Sequence, residues 1–187
     1  LPATCRDFDG YGLVMAPGVM HMPDALKRAL ARSAAVVVYG PRSGARTSEM
    51  AIPVPLPPAI DGLDVTVTQV ESLRHDISVP LEGGGKVIRY RDVLDGTAKV
   101  ILQTTDADPV AMRDGQQIYL GGWLDDDTLD QFVSGLCGEA GIDVLPMPEG
   151  VRTRTTGGER FWFNYSDAEV ACHGVELPAA GVLRVPV

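Results

Sequence analysis

Apolar and polar positions change rhythm several times along this chain, and each rhythm predicts an element. Residues 11–16 (Tyr-Gly-Leu-Val-Met-Ala) form a short apolar run bounded by Asp9-Gly10 and Pro17-Gly18. Such a run predicts a strand buried on both faces, as in a parallel sheet. From Ala25 to Ser33, Leu26, Ala29, Leu30 and Ser33 recur at three and four residues, while Lys27, Arg28 and Arg32 fall elsewhere. That spacing, after Met22-Pro23-Asp24, predicts an amphipathic helix with a Pro-Asp start. Ala35–Tyr39 reads as a second buried strand, stopped by Gly40-Pro41. Strand, helix and strand in so short a span form a βαβ unit, with parallel strands and a right-handed crossover.

The middle of the chain reads differently. Residues 52–58 (Ile-Pro-Val-Pro-Leu-Pro-Pro) must be an extended connector, since proline neither donates to a ladder nor continues a helix. Leu63, Val65 and Val67, then less strictly Val70 and Leu73, alternate as in a half-buried strand over 63–74. Gly83-Gly84-Gly85 is a turn before a strand at Lys86–Tyr90, and Ala98–Gln103 and Gln117–Leu120 are two more. The last is entered through Asp114-Gly115, a hairpin signal. Asp125, Asp126 and Asp127 precede a helical pattern of Leu129, Phe132, Val133, Leu136 and Cys137. Aspartates there cap the helix and meet the positive end of its dipole, and Gly141 suits the C′ position. Beyond Gly150 the chain reads as a β-meander: Val151–Thr155, a Gly157-Gly158 turn, Arg160–Tyr165, Glu169–His173 and a tail from Val182. So short a segment needs a partner surface to be stable.

With 187 residues, 45% apolar and 22% charged, the chain can bury a core, and no apolar run reaches the length of a membrane span. The net charge of −9 is concentrated. Residues 101–150 carry 10 acids and a single base, Arg113, whereas residues 1–100 hold 11 of each sign. With no basic stripe, nucleic acid and anionic membrane are poor partners. Cys5, Cys137 and Cys172 are odd in number and contain no C-x-x-C pair, which fits a reducing cytoplasm and neither a disulfide framework nor a zinc ribbon. The opening Leu1-Pro2-Ala3 has no initiator Met and reads as part of something longer.

Candidate chemistry is sparse. Gly40-Pro41-Arg42-Ser43-Gly44 follows a strand, where an α/β enzyme places a nucleophile. A G-x-S-x-G elbow on Ser43 would need glycine at Pro41, and Pro53 leaves no room for the helix that should follow. The loop does lie at the carboxyl end of a parallel strand, where ligands bind. Pro17, Gly18, Arg42, Ser43 and Arg46 are therefore the candidate ligand-edge residues, with Arg42 and Arg46 as anion holders. His21, His75 and His173 are scattered and form no metal motif. Asp125–Asp127 and Asp106/Asp108 read as caps and surface groups, not as carboxylates facing each other across a cleft. Gly83–Gly85 lacks the context of a phosphate cradle. Asn164-Tyr165-Ser166 is formally a glycosylation sequon. Phe161, Trp162 and Phe163 alternate in a strand, some facing a core, with a sugar-stacking platform as the other use of their rings. No residue here is assigned a catalytic role, and no metal or cofactor is expected.

Four stretches, in order, carry a resemblance: Asp9–Pro17 (DGYGLVMAP), Val37–Gly44 (VVYGPRSG), Gln117–Leu124 (QIYLGGWL) and Phe161–Asp167 (FWFNYSD). Together they resemble the C-terminal half of glycoside hydrolase family 42 β-galactosidases. In that family a catalytic (β/α)8 barrel is followed by a flavodoxin-like domain similar to class I glutamine amidotransferases, which trimerises the enzyme, and then by a small β-sandwich. The resemblance implies residues 1–146 as an amidotransferase-like parallel-sheet domain with added β-strands, its first strand and helix preceding Leu1. It implies residues 147–187 as a small antiparallel β-domain. The family's two catalytic glutamates lie in the barrel, so no position here inherits them. The cousins' elbow cysteine has no counterpart either, so amidotransferase activity is not carried over.

The expected function is a non-catalytic assembly region of a cytoplasmic β-galactosidase, partnered by its own barrel and by copies of itself in a trimer. Its rival is a small-ligand domain of amidotransferase-like fold that holds a sugar or anion at Arg42. A free-standing hydrolase using Ser43 is the third reading.

Overall fold

The computed structural model describes residues 4–187. Two compact units divide the chain, the first reaching to Asp143 and the second spanning Val144–Val187. The fold is rich in β-structure, with two helices and several sheets among the described residues.

The first unit opens with β1 (Leu13–Ala16), α1 (Asp24–Ala31) and β2 (Val36–Tyr39). The βαβ unit forms as expected, since β1 and β2 pair in parallel, Leu13 opposite Val36 and Ala16 opposite Tyr39. Leu26 and Leu30 are the buried face of α1. β2 is buried at every residue, but β1 is not: it lies at one end of its sheet, and Met15 is 41% exposed. The short apolar run of 11–16 is therefore an edge strand, not one covered on both faces.

Next come β3 (Pro58–Ile60), β4 (Leu63–Ser72), β5 (Ser78–Pro80), β6 (Lys86–Asp95), β7 (Lys99–Gln103), β8 (Pro109–Asp114), β9 (Gln117–Leu120) and β10 (Gly122–Leu124). One sheet has the order β1-β2-β9-β8-β7; the other has the order β10-β6-β4-β3, with β5 on β6. Among the described strands, parallel pairing joins β1, β2 and β9, with one further parallel bridge between His21 and Arg46. The rest of that sheet is antiparallel, because β7, β8 and β9 are joined only by residues 104–108 and 115–116. Parallel neighbours need a crossover of a dozen or so residues, and these links are far shorter. The expected parallel sheet is thus a mixed one.

Two strands break their own alternation. In β4, Leu63, Val65 and Val67 point inward, but the register shifts between Val67 and Gln69 and leaves Val70 exposed. In β6, Arg89 has φ 64, and the buried positions move from Val87 before it to Asp92 and Leu94 after it. The strand also runs five residues beyond the predicted Tyr90, to Asp95.

Helix α2 (Asp126–Glu139) is capped by Asp125, whose side chain accepts from the Thr128 amide at 3.1 Å. Its other end closes with Gly141 N–H donating to Gly138 O and Ile142 N–H to Cys137 O, a Schellman pair. Both faces of β2 and β9 are covered. Val37, Tyr39 and Tyr119 pack with α1 and β4, and Val36, Val38, Ile118 and Leu120 with Leu124 and Leu136.

The second unit holds β11 (Val151–Thr156), β12 (Glu159–Asn164), β13 (Val170–Cys172), β14 (Val175–Leu177) and β15 (Val182–Pro186). It is not a simple meander. β12 is the centre of a sheet ordered β11-β12-β15, and β13-β14 is a separate hairpin. Asn164 is the reason: it is buried, and its Nδ2 donates to Ala168 O at 2.8 Å, Leu177 O at 3.3 Å and Pro178 O at 2.9 Å. Its Oδ1 accepts from the Ser166 amide and hydroxyl. One side chain thus ties the hairpin to the end of β12, and the formal sequon is a structural hub with no exposed amide. Of the three aromatic rings, Trp162 faces this unit's core with Val151 and Leu177, and stacks against His173 at 5.9 Å.

Candidate functional site

The loops that leave the carboxyl ends of β1, β2 and β9 surround a cavity of about 630 Å³. Met15, Pro17, Val38, Leu120, Leu124 and the face of Trp123 make it largely apolar, and Trp123 is 51% exposed. Its charged lining groups are Arg42 and Arg89. The Arg42 guanidinium lies 5.8 Å from the Tyr90 ring centre, and that of Arg89 lies 6.0 Å from the Trp123 ring centre. Neither arginine has an ion pair among the described residues.

The loop Gly40–Gly44 is held tightly. A Cβ on Gly40 would stand 2.8 Å from Pro17 Cα, and one on Gly44 would stand 2.8 Å from Pro58 O. Between these obligatory glycines Arg42 sits at φ 68, a conformation that non-glycine residues seldom adopt. The strain is held from outside by Asp92, whose Oδ2 accepts from the Arg42 amide at 3.1 Å.

Asp92 is 2% exposed, and no cation among the described residues pairs with it. Neutral donors surround it instead: Tyr119 Oη donates to Oδ2 at 2.8 Å and Tyr90 Oη to Oδ1 at 2.7 Å. Its own amide donates to Gly121 O at 2.7 Å. The carboxylate leaves its mark on both phenols. Burial, then the Asp92 charge, pushes the Tyr119 hydroxyl well above the usual phenol range. Tyr90 is raised by burial and by its hydrogen bond to Asp92, with Arg42 and Arg46 opposing. Tyr39 is raised by burial alone and donates to Gln117 Oε1 at 2.6 Å. With these donors committed to it, Asp92 holds the Arg42 loop in place.

The five ligand-edge residues separate. Pro17, Gly18 and Arg42 line the apolar cavity. Arg46 lines a neighbouring one of about 410 Å³ with Arg42, Ile52, Leu56 and Tyr90. Ser43 faces neither: it is fully buried and its Oγ donates to Ala16 O at 2.7 Å, which binds β1 to the loop. That hydroxyl has no base beside it, so the hydrolase reading of Ser43 has no geometric support. No helix follows the loop before α2. Among the described residues no group of three or more His, Cys, Asp or Glu is placed to hold a metal.

Asp92, Tyr90 and Tyr119 escape sequence reading. The Tyr90-x-Asp92 spacing puts both on one face of a strand, but alternation counted from Val87 points Asp92 outward. The positive φ at Arg89 reverses that.

Residues 2–143 match the family described as the beta-galactosidase trimerisation domain. The chain belongs to that family, the trimerisation region of the family 42 glycoside hydrolases. It is 31% identical over 176 residues to a beta-galactosidase of Thermus thermophilus, covering 91% of this chain and 26% of that protein. The crystal structure of beta-galactosidase from the psychrophilic Marinomonas ef1 superposes with a TM-score of 0.88 at 28% identity, covering 98% of this chain and 30% of that one. The beta-galactosidase of the Antarctic haloarchaeon Halorubrum lacusprofundi shares the fold, with a TM-score of 0.86 at 22% identity, covering 100% of this chain and 33% of that one. The chain thus spans between a quarter and a third of the length of these relatives.

Proposed function

We propose that this chain is the non-catalytic assembly region of a β-galactosidase. It would join three copies of a parent enzyme that hydrolyses terminal β-D-galactosides with two carboxylates in a (β/α)8 barrel elsewhere in that parent. The match of residues 2–143 to the trimerisation family carries the reading. In it, residues 1–146 are the assembly domain, with β1-α1-β2 and β9 as the parallel, flavodoxin-like part to which antiparallel strands were added. Residues 147–187 are the small β-domain. A cytoplasmic location accords with the three free cysteines. Among the described residues no helix is long and apolar enough to cross a membrane. Sedimentation velocity of the 187-residue chain tests the reading. A trimer that leaves a chromogenic galactoside uncleaved is expected. A chain monomeric at tens of micromolar, or one that cleaves the galactoside, overturns it.

One observation favours a second reading. The exposed Arg42 guanidinium, with no carboxylate partner among the described residues, could hold a small anion beside Pro17, Gly18 and Arg46. Calorimetric titration with inorganic phosphate, with Arg42→Ala as control, decides it: saturable heat lost in the variant supports the site, and a flat trace removes it.

A further inference from the structure

Residues 50–60 contain no charge, and prolines at 53, 55, 57 and 58 alternate with aliphatic residues. The aliphatic side chains stay largely in solvent: Met50 is 57% exposed, Ile52 61%, Val54 96% and Leu56 47%, with Ile52 and Leu56 also edging the 410 Å³ cavity. Yet the segment is anchored at both ends. Thr47 and Ala51 are bonded at 2.9 Å at its start. At its end Pro57 and Pro58 are buried, Val67 donates to Pro57 O at 2.7 Å, and Lys27 Nζ donates to Pro58 O and Ala59 O at 3.2 and 3.1 Å. Proline also restricts the chain between these anchors, so little entropy remains to be lost when the arm docks. A rigid arm presenting only apolar groups to water is an interaction element.

The same unit carries a receptor of matching chemistry. The 630 Å³ cavity is apolar and concave, with the Trp123 and Tyr90 rings in its wall. Proline-rich extended segments dock in aromatic-lined grooves of this kind. Symmetry favours such a pairing. A threefold ring closes only through heterologous contacts, in which one patch of a copy meets a different patch of the next. The matched family is a trimerisation domain, and the first unit presents both a projecting apolar arm and a concave apolar site.

Resting on the assembly reading, we propose that residues 51–56 of one copy insert into the Trp123 cavity of the next around a threefold ring. The test is sedimentation velocity of the wild-type chain, of Ile52→Asp/Val54→Asp, of Trp123→Asp, and of an equimolar mixture of the two variants. The substituted side chains are at least half exposed, so the far-UV circular dichroism of each variant should match wild type and confirm folding. Each variant alone should self-associate more than ~30-fold more weakly, as loss of a central apolar contact does. The mixture should recover a one-to-one dimer, since it retains one intact arm and one intact cavity. In a Trp162→Phe background, Trp123 emission should shift to the blue in the wild-type-interface trimer relative to the arm variant.

A monomeric wild-type chain overturns both this inference and the assembly reading. A wild-type trimer with trimeric variants, or variants whose mixture stays monomeric, overturns only the arm-to-cavity contact. Variants that stay trimeric, but whose full-length parent sheds its catalytic domain on limited proteolysis, assign the arm to that domain and overturn the inference as well.

Discussion

Each unit contains a buried polar side chain that gathers several partners, Asp92 in the first and Asn164 in the second, and the two do opposite things. Asp92 in the first unit accepts from a strained backbone amide and two tyrosine hydroxyls, with no ion-pair partner among the described residues. Asn164 in the second unit mainly donates, reaching three carbonyls from one amide nitrogen while its oxygen serves Ser166. The acid can take only donors and the amide nitrogen can take only acceptors. A carboxylate therefore suits the end of β2, where an amide must be held in place. A carboxamide suits the corner of β12, where several carbonyls converge. Buried polar groups specify a local structure through the partners they demand.

The largest loss of stability is expected at Asp92. Asp92→Leu orphans the Tyr119 hydroxyl and the Arg42 amide inside the fold, and should destabilise the first unit by ~3–5 kcal/mol. Urea unfolding followed by Trp123 emission in a Trp162→Phe background measures it, and a shift below 1 kcal/mol would mean that the strained loop is held by other contacts.

Swapping the chemistries sharpens the contrast. Asn164→Asp is isosteric, but sets a carboxylate against three carbonyl oxygens at a cost of ~3 kcal/mol at neutral pH. Those oxygens favour the protonated acid, so its folded-state pKa lies above the unfolded one. Stability is then recovered on acidification and lost as pH rises through the carboxylate range. Trp162 emission in a Trp123→Phe background reads this unit alone, and a pH-independent midpoint between pH 3 and 7 would contradict the arrangement.

Alkali probes the first unit with a smaller effect. The phenols of Tyr39 and Tyr119 titrate above the unfolded value, so their contribution is complete below about pH 10. Above that the unfolded chain releases protons that the fold retains, and stability should fall by ~1.4 kcal/mol per pH unit for each phenol. Tyr119→Phe should remove one such share of the slope, measured as urea midpoints from pH 9 to 11. The smallest effect belongs to the cap: Asp125→Ala leaves the Thr128 amide without its side-chain acceptor and should cost ~1 kcal/mol. The second unit's transition should not move.

Local signals were read correctly where the chain's own periodicity decides the outcome. The β1-α1-β2 unit, the Asp114-Gly115 hairpin, the Asp125 cap of α2 and the Gly141 terminus all follow from neighbours in sequence, and the structure shows each. The ordered motifs also pointed to the family that the comparison found. The candidate site was legible only in part. Its place at the ends of parallel strands, and Arg42 within it, follow from the pattern; Trp123, Arg89 and the Asp92 cluster do not. A β-bulge or one residue at positive φ changes which face of a strand is buried, and alternation cannot register that.

By itself, then, the sequence determined which segments pair locally and where α2 is capped and closed. Only the tertiary structure decided that the main sheet is mixed, that Ser43 is a buried tie to Ala16, and that Asn164 is a hub. It alone also showed that the proline arm stands in solvent while a cavity lies open at Trp123. The physical reason is range. Capping, turn chemistry and helical spacing act over a few residues, whereas the partner of a buried hydroxyl, amide or carboxylate is set by which distant strands happen to meet around it.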